Sequence, residues 1–171
     1  MGKIFSILLA LALVLSVGLV TGTPAEAAVS QPQVTVSPVR TNVTAEYTIV
    51  FRITARPTAG VHSITVDFPT DTTVPGNYTT GDITINANNV SSGDITVVGR
   101  KVTMVTPITI VAPATVTVVF TTDAGIINPT ATGDYTLKVN TSLPADQTPV
   151  VSEEYAIREL PTVTAVSPDR G

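Results

Sequence analysis

Apolar and polar residues alternate in several short stretches of the chain. In Glu46–Ala55 every second residue is apolar, beginning with Tyr47. The same alternation recurs in Ser63–Phe68, in Val116–Phe120 and in Tyr135–Val139. A period of two residues is typical of a strand with one face buried. After residue 27 no stretch shows the period of 3.6 residues that an amphipathic helix requires, so we predict strands almost throughout.

One hairpin can be predicted down to its register. In the segment 94–105 the turn is predicted at Val98–Lys101, because Gly99 then occupies the first central position of a two-residue type II′ turn. This register pairs Val97 with Val102, Ile95 with Met104, and Thr96 with Thr103. Apolar residues meet on one face and threonines on the other, and a slip of one residue would destroy both matches.

Proline and glycine separate the predicted strands. We predict turns or loops at Pro57–Gly60, Thr70–Gly81, Asn86–Gly93 and Asp123–Gly133. A further polar loop, Ser142–Ser152, leads into a last predicted strand at Glu154–Ile157. Short strands without intervening helices predict an all-β fold, an immunoglobulin-like β-sandwich with Greek-key connections, and a closed barrel is the alternative. The chain lacks Cys and Trp, so the likeness to immunoglobulin domains is one of architecture.

The first 27 residues have the pattern of a secretory signal peptide. Lys3 is followed by an apolar run, Ile4–Val20, and by Ala25-Glu26-Ala27, which matches an A-x-A cleavage site. We predict a signal-peptide helix at 1–27 with cleavage after Ala27, and therefore a secreted or cell-surface protein. An uncleaved anchor is the alternative, since the run approaches the length of about 20 residues that spans a bilayer.

Length, charge and cysteine content narrow the class of protein. Removing 27 of 171 residues leaves 144, which suits one domain, predicted at 28–158. Without cysteine there are no disulfides and no lipid-modified cysteine, so the domain depends on a packed apolar core. The net charge is −4 and no basic cluster occurs, which argues against nucleic acid and anionic lipid as partners. Membrane contact is expected only through the signal peptide.

Few residues suggest catalysis. His62 is the single histidine, and one histidine without cysteine does not make a metal site or, without a positioned nucleophile and carboxylate, a catalytic triad. A structural or surface role for His62 is therefore predicted. No paired acids, nucleophile motif or metal cluster is recognisable, so we expect a non-enzyme with no cofactor.

Single aspartates near strand ends raise the question of calcium. Calcium binds several converging oxygens, often from loops. No D-x-D-x-D-G run occurs, and isolated acids at strand ends are commonly turn formers. We therefore keep calcium binding only as a weaker hypothesis. The aspartates concerned are Asp67, Asp71, Asp82, Asp94, Asp123 and Asp134.

Two kinds of surface site remain as hypotheses. The chain has four N-x-[ST] sequons, which would accept glycans in a host that glycosylates secreted proteins. They are Asn42, Asn77, Asn89 and Asn140. Tyr78 lies in the polar loop Thr70–Gly81, where an exposed ring could stack on a sugar or another partner, although a tyrosine that packs against its turn is commoner.

The end of the chain resembles a known module. Pro161–Gly171 (PTVTAVSPDRG) resembles the first strand and turn of the IPT/TIG domain, an immunoglobulin-like module of cell-surface proteins. The matching residues are Pro161, Val163, Val166, Ser167, Pro168 and Gly171. The resemblance implies that residues 159–171 are a linker and the first strand of a truncated IPT/TIG-like domain, and that the chain is the N-terminal module of a longer protein.

A second resemblance covers most of residues 33–142. This region is similar to a β-sandwich module repeated in secreted and surface-layer-type proteins of bacteria and archaea, which acts as a stalk, spacer or adhesive unit without catalytic residues. The similarity rests on Ala124, Gly125, Ile126, Asn128, Pro129, Gly133, Tyr135 and Thr141. The residues themselves predict that Ile126 and Ile127 fill the core and that Asn128-Pro129 fixes a turn.

Together these features predict a non-catalytic structural or spacer module of a secreted or cell-surface protein. Its expected partners are neighbouring domains of the same chain or components of the cell envelope. Two alternatives stay open: an adhesive module that binds carbohydrate or protein, and an accessory domain of a secreted polysaccharide-degrading enzyme.

Overall fold

Short β-strands build the protein. A computed structural model describes residues 29–144 and 148–159. The strands in these ranges are β1 (Val29–Ser37), β2 (Glu46–Ile53), β3 (Ser63–Asp67), β4 (Ile83–Ile85), β5 (Asn88–Asn89), β6 (Ile95–Val98), β7 (Lys101–Val105), β8 (Ala114–Phe120), β9 (Gly133–Tyr135), β10 (Lys138–Thr141), β11 (Val150–Val151) and β12 (Tyr155–Ile157). Single 3-10 turns lie at Ser92–Asp94 and Thr122–Ala124. Within the described ranges no helix is long and apolar enough to cross a membrane.

Two antiparallel sheets form a sandwich. The first has the order β1-β2-β8-β4-β5 and the second the order β11-β10-β3-β7-β6, while β9 and β12 form a small separate pair. The prediction of an all-β sandwich is confirmed, and the barrel alternative is wrong because the strands divide into separate sheets. The predicted signal-peptide helix lies outside the described residues.

The core forms where the alternating pattern predicts it. Side chains that point between the sheets are fully or almost fully buried, while their neighbours are partly or fully exposed. Burial of each such side chain contributes about 1.5–3 kcal/mol to folding. The buried residues of the three predicted strands are Tyr47, Ile49, Phe51, Ile53, Ile64, Val66, Phe68, Val116, Val118 and Phe120.

The hairpin β6–β7 has the predicted register. Val97 pairs with Val102, Thr96 with Thr103 and Ile95 with Met104. Gly99 has φ 64°, the positive value that the first central position of a type II′ turn needs. Thr103 pairs with Thr96 on one neighbouring strand and with Thr65 on the other, so that the three threonines form a row on one face of the sheet. Thr65 Oγ1 lies 3.0 Å from Thr103 Oγ1.

The prediction of one strand over Tyr135–Val139 is wrong. Tyr135 ends β9, which pairs with β12, whereas Val139 lies in β10 of the second sheet. Between them Leu137 is buried, and its backbone N–H donates to Ser152 Oγ (3.1 Å) while its carbonyl accepts from the Ser152 N–H (2.8 Å). A serine from another segment thus replaces the ladder partner where the chain changes sheets.

Three further predictions differ from the structure in detail. The predicted loop Asn86–Gly93 contains the short strand β5, and the predicted loop Ser142–Ser152 contains β11. The last predicted strand, Glu154–Ile157, is β12 and begins one residue later. Strands of two or three residues are too short to show a recognisable alternation, which is why the sequence does not separate them from loops.

The first and last described strands run side by side. The Glu153 N–H donates to the Pro32 carbonyl (2.8 Å) and the Arg158 N–H to the Val39 carbonyl (2.7 Å). Arg158 forms a parallel bridge with Arg40. The C-terminal segment therefore follows β1 in the same direction along the sandwich.

This arrangement gives the sandwich two distinct ends. The N-terminal end holds Val29, which shares a row with Ile53 and Ala114, and the loops 54–62 and 106–113. The C-terminal end holds Arg158 and the loops 38–45, 68–82 and 121–132.

Candidate functional site: two unlike ends of the sandwich

His62 has a structural contact. Its side chain is half-buried, and Nδ1 accepts a hydrogen bond from the Thr58 N–H at 3.0 Å. The bond closes the loop 58–62 at the N-terminal end. Among the described residues no three His, Cys, Asp or Glu side chains come together in a way that could hold a metal ion. The geometry around His62 therefore supports a role in shaping the loop.

The aspartates considered for calcium are spread over the molecule. Asp82 binds its own loop, because its Oδ2 accepts from the Thr79 N–H (2.6 Å) and its Oδ1 from Thr79 Oγ1 (2.8 Å). Asp134 Oδ1 lies 2.6 Å from Arg158 Nη2. These carboxylates act as a turn-former and as the partner of an arginine, and the described residues offer no convergent oxygen cage.

Tyr78 packs inward, which is the commoner of the two arrangements considered for it. Its side chain is 7% exposed, and its ring packs against Phe120 with centroids 6.4 Å apart. The loop Thr70–Gly81 thus folds its aromatic residue inward and closes the C-terminal end. Burial raises the pKa of Tyr78, and its hydroxyl has no hydrogen-bond partner among the residues that the structure describes. The ring does not offer the stacking platform on which the sugar-binding hypothesis depended.

The four sequons differ in exposure. Asn42, Asn77 and Asn89 are exposed, and Asn140 is half-buried within β10. The Asn140 Nδ2 donates to the Thr141 carbonyl at 3.4 Å. Glycan attachment stays a prediction, and the first three positions are the more accessible ones. Ala27 and the proposed cleavage site lie outside the described residues, as does Pro161–Gly171.

Asn128 ties three segments together at the C-terminal end. Its side chain is 1% exposed. Nδ2 donates to the carbonyls of Pro38 (2.8 Å) and Arg40 (2.7 Å), and Oδ1 accepts from Tyr47 Oη (2.6 Å). The sequence predicted only a turn at Asn128-Pro129. The amide instead bonds two backbone carbonyls and a buried phenol, and hydrogen bonds of this kind are costly to remove.

Aromatic rings surround this amide. Tyr47 meets Phe68 edge to face (5.3 Å, 88°), and Phe68 meets Phe120 in the same way (5.1 Å, 81°). Tyr155 packs on Tyr47 at 6.0 Å. Burial raises the pKa of Tyr47 and of Tyr155. Such edge-to-face pairs contribute about 0.5–1.5 kcal/mol each beyond the area that they bury.

The crossing between β8 and β9 completes the C-terminal end. Ile126 is fully buried, as predicted, whereas Ile127 is only half-buried. The backbone of Ile127 forms bridges with Thr44 and with Thr73. The crossing is therefore held by neighbouring loops on both sides.

The N-terminal end is built from two loops that bind each other. The Gly60 N–H donates to the Thr106 carbonyl (3.0 Å), and the Ile110 N–H donates to the Pro57 carbonyl (3.0 Å). Thr106 is buried, and its Oγ1 donates to the Thr58 carbonyl at 3.1 Å. The two loops thus form one continuous surface.

Two valines protrude from that surface. Val61 is 68% exposed and Val111 is 70% exposed. Each belongs to one of the two bonded loops. Neither loop carries a carboxylate, and the first one exposes Arg56 together with Thr54 and Thr58. The loops of the N-terminal end are therefore free of negative charge, in a chain whose net charge is −4.

Comparison with known proteins supports the fold. No protein family matches the sequence, so the resemblance to IPT/TIG domains stays a prediction. No curated protein matches either. Among solved structures the chain is similar to BslA, described as a bacterial hydrophobin, with a TM-score of 0.51 and 13% identity, over 80% of this chain and 98% of that one. At this identity the similarity concerns the fold alone, and it agrees with a β-sandwich.

Proposed function

We propose that the protein is a non-catalytic structural module that acts as a spacer in a secreted or cell-surface protein. One observation carries the proposal: the chain enters the sandwich at the N-terminal end with Val29 and leaves it at the opposite end with Arg158. The nine residues of β1 span roughly 30 Å at about 3.4 Å per residue. A module of this kind separates whatever precedes it from whatever follows it.

Other features support the proposal. The signal-peptide pattern favours export, and a core without cysteine holds in any redox environment. In the ranges that the structure describes, no three His, Cys, Asp or Glu side chains are grouped so that they could hold a metal ion. The fold is shared with a protein described as a hydrophobin, a description that names no catalytic activity.

The finer expectation is that an IPT/TIG-like domain follows the sandwich. Its proposed first strand, Pro161–Gly171, would begin directly beyond the end at which the chain leaves. Neighbouring domains of the same chain are then the natural partners. Modules joined end to end would extend a stalk away from the cell.

The adhesive alternative is less well supported. Its candidate loops are Thr70–Gly81, in which Tyr78 is buried, and Asn86–Gly93, which contains β5. Glycan-array binding by the mature protein would nevertheless favour it over the spacer.

The placement of the two chain ends can be measured directly. The chain has no native cysteine, so Ser30→Cys and Glu159→Cys can be labelled for energy transfer. We expect a separation of roughly 30 Å, the length of β1. The control pair Ser30→Cys with Thr115→Cys lies two strands apart in one row, at roughly 10 Å. Equal distances in the two pairs would contradict the geometry on which the spacer rests.

The function itself can be tested in the source cells. Residues 28–158 are deleted from the gene and an epitope is placed after Gly171. For a spacer, binding of a bulky antibody to the epitope falls while labelling by a small dye is unchanged. Loss of a binding or enzymatic activity with unchanged antibody access would overturn the proposal.

A further inference from the structure

Two exposed valines lie on the N-terminal end, one on each of its two loops. We call Val61 and Val111, with the loops 54–62 and 106–113 that carry them, the valine patch. The loops are joined by backbone hydrogen bonds from Gly60 to Thr106 and from Ile110 to Pro57. These bonds hold the two valines on one surface.

The chain outside the structure attaches at this same end. Val29 pairs with Ile53, which pairs with Ala114, three residues after Val111. Eight residues separate Val20, the last residue of the apolar run, from Val29, and the nine steps between these two residues span at most roughly 32 Å. When residues 1–28 stay on the chain and the run lies in a bilayer, Val29 is held within that distance of the lipid, at the end of the sandwich that carries the patch.

The charges of the N-terminal end allow this orientation. The two loops of the patch have no carboxylate, and the first of them carries the exposed Arg56. Asp94 comes directly before β6 and places one carboxylate at the margin of this end. The C-terminal end carries charges of both signs, with Asp71, Asp82 and Asp123 in its loops and with Arg40, Arg100 and Arg158.

We propose that, in the form of the chain that retains residues 1–28, the valine patch lies on the lipid surface and sets the module upright on the membrane. Val61 and Val111 reach the boundary between headgroups and acyl chains. Two valines are too few to hold a free module on a bilayer. Residues 1–28 act as a tether that raises the local concentration of the two valines at the lipid. A contact that is weak for a free module is then strong enough to orient the tethered one. The inference goes beyond the spacer function and does not depend on it.

The experiment uses the full chain, residues 1–171, synthesised without signal peptidase in the presence of vesicles of phosphatidylcholine and phosphatidylglycerol (3:1). A polarity-sensitive fluorophore is placed on a single cysteine at Val61→Cys or Val111→Cys. The matched control is Val98→Cys, because Val98 is 72% exposed and precedes the turn at the opposite end. Nitroxide lipids in the vesicles serve as quenchers. We expect quenching at 61 and 111 to be several times stronger than at 98.

A second variant separates the patch from the tether. The fluorophore is placed at Thr54→Cys, an exposed residue at the start of the first loop. In the chain that keeps both valines it should be quenched by the nitroxide lipids. In the double variant Val61→Asn and Val111→Asn quenching should fall to the level of the control at 98, although the tether is intact.

Three results would overturn the proposal. The first is equal quenching at 61, 111 and 98, which would mean that the tethered module has no preferred orientation. The second is a change in fluorescence without vesicles that grows with protein concentration, which would assign the patch to a second copy of the chain. The third is a change in the fluorescence of the probe at 61 or 111 at an air–water interface without any change in the presence of vesicles, which would mean that the patch does not bind lipid.

Discussion

The two ends of the sandwich are held in different ways. At the C-terminal end a buried amide, Asn128, and a set of packed aromatic rings bind loops that are distant in sequence. At the N-terminal end two loops bind each other through their backbones and leave Val61 and Val111 exposed. The difference indicates that the C-terminal end stabilises the fold, whereas the N-terminal end is free to present a surface. Each prediction below tests this contrast.

Alkaline pH should have the largest effect, because Tyr47, Tyr78 and Tyr155 all belong to the C-terminal end and burial raises the pKa of each. Below pH about 10 the native and unfolded chains both keep these protons. Above it the unfolded chain releases them and the native chain does not, so each phenol destabilises the fold by about 1.4 kcal/mol per pH unit. Denaturant unfolding from pH 8 to 12 measures the loss.

The variant Tyr78→Phe tests whether the buried tyrosines cause the loss of stability at alkaline pH. In Tyr78→Phe the slope of stability against pH above 10 should fall by about a third, since one of three similar phenols is gone. Phenolate absorbance that rises near pH 10 while the circular dichroism of the fold is unchanged would contradict the prediction.

Asn128→Ala should be the most damaging single substitution. It removes the three short hydrogen bonds that the amide makes to two backbone carbonyls and a phenol in the interior. We expect a loss of about 3 kcal/mol or more in the free energy of unfolding. Asn89→Ala, at an exposed asparagine of β5, is the control and should change stability by less than about 0.5 kcal/mol. Similar losses in the two variants would remove the special role of Asn128.

Two tyrosines at the same end should respond differently to loss of the hydroxyl. Tyr47→Phe deprives Asn128 Oδ1 of its donor and should cost about 1–2 kcal/mol. Tyr78→Phe removes a buried hydroxyl that has no partner, so it should be neutral or slightly stabilising at pH 7. Thermal unfolding of both variants compares them. A loss in Tyr78→Phe as large as in Tyr47→Phe would indicate a partner for that hydroxyl.

Two glycines with nearly the same positive φ angle, one at each end, allow the packing of the two ends to be compared. Gly125 at the C-terminal end has φ 68° and Gly60 at the N-terminal end has φ 70°. A Cβ at Gly125 would lie 3.3 Å from Pro75 Cγ, whereas a Cβ at Gly60 would have nothing within 4 Å. Gly60→Ala should cost about 1 kcal/mol from the backbone alone, and Gly125→Ala should cost more. Chemical denaturation measures the free energy of unfolding of both variants. Equal losses would mean that the loop around Pro75 moves aside to accommodate the added methyl group.

The smallest effect is expected at the valine patch. Val61→Asn with Val111→Asn changes two exposed side chains, so the free energy of unfolding should change by less than about 0.5 kcal/mol each. A larger loss would show that the valines support the fold and would weaken the contrast between the ends.

Features that depend on neighbours in sequence could be predicted. The register of β6–β7 follows from one glycine and the facing residues of a twelve-residue segment, and the buried face of β2 follows from alternation. Strand β1 cannot be recognised from alternation, because Pro32 and the irregular pairing between Ser30 and Gln33 interrupt its pattern.

Features that depend on distant residues were missed. The hydrogen-bond partners of Asn128 lie 81, 88 and 90 positions away, so the sequence showed only its local turn. The same holds for the partner of Tyr78: an inward-packed ring could be expected, but its contact with Phe120, 42 positions away, could not. The valine patch depends on the meeting of two loops about 50 residues apart, and Ala59 with Thr109 is one such contact across that interval.

The opposite placement of the two chain ends has a mechanical consequence. A pulling force applied through Val29 and Arg158 acts along β1, and the β1–β2 hydrogen bonds lie across its direction. Seven residue pairs join these strands, and such a force loads them together in shear, whereas a hairpin pulled from its open end breaks one pair at a time. A module in a tethered surface protein would therefore resist extension in the direction in which flow or a bound partner would pull it.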